Sequence, residues 1–147
     1  VELIERKESF RIPRTTDGQV KSFDHISLVA NDLAGAEKFY MKHMGLEPLK
    51  RMRIDARDLT MVYIMKGDDV IEFLHKSTPQ TGVDLIGHIA LRVDSVDEMT
   101  AYLQSKGVEF EPGSPKPAGT GLGRVSVFRD PDGARIELVD RKDLREI

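Results

Sequence analysis

His25 and His88 each open a short apolar run, Asp24-His25-Ile26-Ser27-Leu28-Val29-Ala30 and Gly87-His88-Ile89-Ala90-Leu91-Arg92-Val93, and they stand 63 positions apart. Farther along, one carboxylate interrupts each of two more apolar runs. Glu72 lies in Val70-Ile71-Glu72-Phe73-Leu74, 47 residues after His25, and Glu137 lies in Arg135-Ile136-Glu137-Leu138-Val139, 49 residues after His88. A carboxylate left unpaired in a buried strand costs several kcal/mol, and a divalent cation removes that penalty. Two imidazoles with two carboxylates make such a cation site, and His25, Glu72, His88 and Glu137 are its candidate ligands. Nickel, cobalt, zinc, manganese or iron would each accept this donor set, and residue type alone does not choose among them.

The elements between these residues repeat as well. An acidic turn follows each histidine strand, Asn31-Asp32 and then Asp94-Ser95. Helical spacing comes next, at Leu33, Ala36, Phe39 and Tyr40 in one half and Val96, Met99 and Leu103 in the other. Gly45-Leu46 and Gly107-Val108 close the two helices. Asp32 and Gly45 are the cap and the stop of the first helix. Strands are expected over Leu59 to Met65 and Val70 to His75, joined by a hairpin turn at Lys66-Gly67-Asp68-Asp69. Their counterparts are Arg124 to Phe128 and Ala134 to Val139, around the turn Asp130-Pro131-Asp132-Gly133. Each module is therefore strand, helix and three strands, and an internal duplication of this kind fixes the architecture before any detail does. The class is α+β, with two βαβββ modules over residues 22–80 and 85–141, an N-terminal arm over 1–21 and a C-terminal tail over 142–147. Ser77 to Asp84, with Pro79 and Gly82, links the modules.

Strand alternation sorts the side chains. Ile26, Leu28 and Ala30 share one face, suited to packing under a helix, and His25, Ser27 and Val29 share the other. In the second module Ile89, Leu91 and Val93 take the packing face, leaving His88, Ala90 and Arg92 opposite. Arg92 then looks into the same space as His88, and Arg135 into that of Glu137, so both arginines are candidate anion contacts for a substrate. His43, in the last turn of a helix, reads as a surface residue, and His75 points away from Glu72; neither is counted as a ligand. The basic run at Lys50, Arg51, Arg53 and Arg57 reads as a solvated face, with an anion handle as the alternative. Gly119-Thr120-Gly121-Leu122-Gly123 leads into a strand and is not a nucleotide loop.

Composition narrows the function classes. The 147 residues carry 22 basic and 25 acidic side chains for a net charge of −3, so no nucleic-acid or anionic-membrane partner is expected. No cysteine is present, which removes disulfides, thiolate ligands and thiolate nucleophiles and fits the cytoplasm. No apolar run approaches the length of a spanning helix, and Val1 to Lys7 is charged rather than secretory.

The pieces Phe23 to Leu46, Val70 to Leu74, Gly87 to Val93 and Phe128 to Val139 resemble the glyoxalase I and bleomycin-resistance group, the vicinal oxygen chelate superfamily. Asp130-Pro131-Asp132-Gly133 followed by Ile136-Glu137 is the most specific part of the likeness. The resemblance implies a cupped mixed sheet around a metal, and the order His25, Glu72, His88, Glu137 is similar to that of bacterial glyoxalase I, a lactoylglutathione lyase. It implies a metal-dependent lyase or isomerase that moves a proton through a metal-chelated enediolate, with Glu137 as base and Glu72 as its pseudo-symmetric counterpart. A small-molecule substrate, a homodimer and a thiol cofactor such as glutathione are implied with it. Where glyoxalase I carries an Arg and an Asn for glutathione, this chain has Val29 and Lys76. The alternatives within the same fold are an epimerase of an acyl-CoA or 2-keto compound, a ring-cleaving dioxygenase and a drug-binding resistance protein.

Overall fold

Val20–Val29 forms the first strand, β1, and begins two residues ahead of the expected module start because Val20 pairs with Val93 on a neighbouring strand. The structure is a computed structural model that describes residues 19–141; the expected arm up to residue 18 and the tail at 142–147 lie outside the described residues.

After β1 the Asp32 side chain accepts a hydrogen bond from the Gly35 backbone N–H at 2.9 Å and starts α1, Leu33–Glu37. The helix runs on as a π-helical turn over Lys38–His43, and Gly45, at φ +74°, takes the left-handed conformation that reverses the chain. Three strands follow: β2 at Glu47–Ile54, β3 at Leu59–Lys66 and β4 at Asp69–His75. The second module repeats the order, with β5 at Ile86–Val93, α2 at Val96–Ser105 capped by Ser95, β6 at Lys116–Pro117, β7 at Arg124–Arg129 and β8 at Arg135–Val139.

All eight strands join one mixed sheet in the order β2-β3-β4-β1-β5-β8-β7-β6. Outward from the central antiparallel pair β1–β5, each side repeats the same sequence of pairings: a parallel neighbour, β4 or β8, then two antiparallel ones. The modules thus pair within one chain, about an approximate twofold that passes between β1 and β5.

Register turns that symmetry into a site. Ser27, two residues past His25, pairs with Glu72, and Ala90, two residues past His88, pairs with Glu137. Across the central ladder His25 faces Ala90 and Ser27 faces His88. Because successive side chains alternate, these placements put both histidines and both glutamates on one face.

Each module has its own apolar layers. Leu33, Ala36 and Tyr40 of the first helical segment pack on Val62, Ile64 and Phe73, and Val96, Met99 and Leu103 of α2 pack on Val93 and Leu138. The inner face carries Met61, Tyr63, Ile54, Leu59 and Leu74 on one side and Ala90, Ala118, Val125 and Val139 on the other. Ile26 was expected under a helix, yet it is 45% exposed, because the first helix packs over the far end of this strand, on Leu28 and Ala30, and leaves Ile26 uncovered.

Candidate metal centre

The four predicted ligands come from four strands and meet on the inner face. His25, Glu72 and His88 are buried, and one donor atom of each lies within 4.8 Å of the others. His25 Nε2 and His88 Nε2 are 3.0 Å apart, and Glu72 Oε2 is 3.3 Å from the first and 3.5 Å from the second. Glu137 Oε1 is 3.7 Å from His88 Nε2. Donors roughly 2.1 Å from a shared cation stand about 3.0 Å apart at a right angle and about 3.4 Å apart at the tetrahedral angle. The separations among His25, His88 and Glu72, 3.0 to 3.5 Å, lie within or just above that range, and Glu137 stands slightly beyond it. Glu72 Oε2 is also buried without any hydrogen-bond partner, and such an atom needs a positive partner. The residues therefore fit a dication.

A layer behind the ligands sets their electronics. His25 Nδ1 meets Asp24 Oδ1 at 2.7 Å, so Nδ1 carries a proton toward the carboxylate and Nε2 is the nitrogen turned to the site. Asp24 is buried and is held in turn by Arg92, at 3.1 and 2.6 Å to Oδ2, and by Arg141 on Oδ1. Burial works against its charge, but His25 and the two guanidiniums keep its carboxyl well below the usual carboxylate range. The Tyr63 hydroxyl donates to Glu72 Oε1.

With no cation bound, the two histidines differ sharply. Burial opposes a proton on His25, yet Asp24 and Glu72 overcome it and raise its pKa to about 9. Burial pushes His88 down to about 4; Glu72 opposes the fall while His25, Arg135 and Arg141 reinforce it. The glutamates differ likewise. Burial alone would raise Glu72, but His25, His88 and Tyr63 hold it at about 2, whereas burial and the neighbouring Glu72 push Glu137 upward.

A cavity of about 170 Å³ opens onto this cluster. Apolar side chains, among them Leu59, Met61 and Val127, share its wall with Glu72, His88 and Glu137 and with Arg57, Lys116, Arg135 and Arg141. Arg135 is therefore in the cavity, clamped by both oxygens of Glu111 at 2.8 and 3.1 Å. Arg92 is not. It shares the strand face of His88 but lies farther along β5, and a bulge between Phe23 and His25 turns Asp24 inward to meet it. The Arg92 guanidinium is engaged with Asp24 instead of lining the cavity. Sequence reasoning also missed Arg141 and Tyr63, since nothing marks a residue after the last strand, or one apolar-looking tyrosine, as part of a site. Asp24 was missed as well, although a carboxylate beside a ligand histidine is a common orienting group and that adjacency could have marked it. His75 Nδ1 is spent on the Ala30 carbonyl at 2.8 Å, and His43 is exposed.

A sequence model of the Glyoxalase/Bleomycin resistance protein/Dioxygenase superfamily matches residues 22–138. A lactoylglutathione lyase of Shigella flexneri is 31% identical over 127 residues, covering 81% of this chain and 92% of that protein. An uncharacterized protein of Bacillus subtilis is 30% identical over 128 residues, covering 83% and 98%. Among solved structures, methylmalonyl-CoA epimerase from Mycobacterium tuberculosis superimposes with a TM-score of 0.74 at 20% identity, over 86% of this chain and 91% of that one. At that identity the match speaks for the fold alone.

Proposed function

The chain belongs to the glyoxalase/bleomycin resistance protein/dioxygenase superfamily, and on that premise we propose that it is a metal-dependent lyase or isomerase of the glyoxalase I type. The observation that carries the reading is the convergence of His25 Nε2, His88 Nε2 and the otherwise unpartnered Glu72 Oε2 beside Glu137, with Glu72, His88 and Glu137 lining one cavity.

His25, Glu72, His88 and Glu137 would hold the cation. Bound there, a dication supplies Lewis-acid stabilisation of the charge that develops on two neighbouring substrate oxygens. Glu137 is the base. It takes a proton from the carbon next to a carbonyl, the C–H electron pair becomes a carbon–carbon double bond, and the carbonyl pair withdraws onto oxygen. The same carboxyl group then returns the proton to the adjacent carbon, while the hydroxyl proton of the first carbon passes to the former carbonyl oxygen and the oxygen it leaves becomes the new carbonyl, which completes an isomerisation with no other reactant. The upward shift of Glu137 suits a group that must carry a proton during turnover. Arg135 and Arg141 add positive potential to the wall, and the apolar lining limits water.

Loading the purified chain with nickel, cobalt or zinc and assaying isomerisation of the hemithioacetal of methylglyoxal and glutathione tests this reading. Turnover that disappears in Glu137→Gln is expected; no turnover with any of these ions would reject it. A second reading, epimerisation of an acyl-CoA, draws on Arg57 and Lys116, which line the cavity and make no hydrogen bond or ion pair among the described residues. The same loaded protein, given an acyl-CoA epimerisation assay, separates the two.

We assign the protein to the cytoplasm and its partner to a second copy of itself. Phe23, Ile26 and Ile86 on the central strand pair are 74, 45 and 60% exposed, apolar surface that a second copy would cover. Light scattering should give a dimer mass, and Ile26→Glu should lower it to that of one chain.

A further inference from the structure

The duplication supplies an internal control for the site. Tyr63 on β3 is the cross-strand partner of Glu72, and the corresponding residue on β7, the partner of Glu137, is Val127. One glutamate therefore has a phenol across from it and the other a pair of methyl groups. Tyr63 is only 1% exposed, its ring stands edge-on to His25 at 5.8 Å, and its hydroxyl donates to Glu72 Oε1.

The consequence is a division of labour within one carboxylate. With Oε1 occupied by Tyr63, only Oε2 faces the two histidines, and a carboxylate fixed at both oxygens has no freedom to swing toward a substrate C–H. Glu137 makes no such hydrogen bond among the described residues; its recorded neighbour is His88 Nε2 at 3.7 Å. Resting on the metal-centre reading above, we propose that Tyr63 is a positioning residue that dedicates Glu72 to the cation and leaves proton transfer to Glu137 alone. The site then has one base. A single base removes and returns a proton on one face of the substrate, as an isomerase requires, whereas an epimerase needs a base on each face.

The test uses the full chain and Ni²⁺ or Co²⁺ alone, with no substrate. Calorimetric titration of Tyr63→Phe with Ni²⁺ should show affinity lowered about 10-fold or more, the usual effect of removing a group that orients a ligand. The absorption spectrum of the Co²⁺-loaded variant should change with it, because an unheld Glu72 alters the coordination, and a merely structural loss would not move that signal. Should Tyr63→Phe fail to fold, Tyr63→Met, which fills similar space without a donor, takes its place. Wild-type affinity together with a wild-type Co²⁺ spectrum in the variant would overturn the role of Tyr63 while leaving the centre standing. Absence of Ni²⁺ binding in the unaltered protein would instead remove the centre itself, and the inference with it.

Discussion

The two modules deliver the same ligands from the same register and then back them with opposite chemistry. In the first, a buried carboxylate, Asp24, accepts from His25 and a phenol, Tyr63, fixes Glu72. In the second, the group behind His88 is a cation, with Arg135 Nη1 3.3 Å from His88 Nδ1, and the residue across from Glu137 is Val127. The backbone has kept its twofold symmetry while the site has lost it. On the reading proposed above, both copies hold the cation and only the second supplies the base, a division made by the residues behind the ligands and not by moving a strand.

The largest expected effect breaks the comparison on the chemical side. Glu137→Gln should cost roughly 10²- to 10⁴-fold in turnover, the usual worth of a positioned base, while a cation still binds by calorimetry; unchanged turnover would reject the assignment. On the holding side, Asp24→Asn leaves His25 without its carboxylate and should weaken Ni²⁺ binding by about 10- to 100-fold in the same titration. Arg135→Gln removes only a positive neighbour of His88, and Ni²⁺ affinity should change little or improve, by less than about 3-fold.

A pH prediction sharpens the contrast between the histidines. His25, raised to about 9, carries a proton at neutral pH in the cation-free protein, and His88, lowered to about 4, does not. The sign follows directly: the His25 proton stabilises the cation-free fold fully below its ordinary value of 6.5, and this contribution is lost as pH rises through about 9. A cation on Nε2 must displace that proton, so affinity should climb with pH up to about 9 and then level off. Titrations at neutral pH in buffers of different ionisation enthalpy should report release of about one proton per ion. Glu72, held at about 2, stays ionised throughout and contributes none.

Much of this was legible in the chain because duplication is written twice. The repeats around His25 and His88 imply paired modules, and the nearly equal spacings to Glu72 and Glu137 imply a shared register, which the pairings Ser27 with Glu72 and Ala90 with Glu137 realise. What alternation could not foresee came from irregular backbone. The bulge at Phe23 to His25 turns two successive residues, Asp24 and His25, inward, and so consumes Arg92 in an ion pair. Arg141 enters from beyond the last strand, where no periodicity governs direction. Tyr63 sits in a run that reads as core, and only the register of β3 on β4 gives its hydroxyl an acceptor.

X-ray absorption of the nickel-loaded protein bears most directly on the claim that one cation is gripped by both modules. Two imidazoles and carboxylate oxygens around a single ion are the predicted result, with one imidazole lost in His25→Ala and again in His88→Ala. A spectrum of oxygen ligands alone, unchanged in either variant, would contradict it.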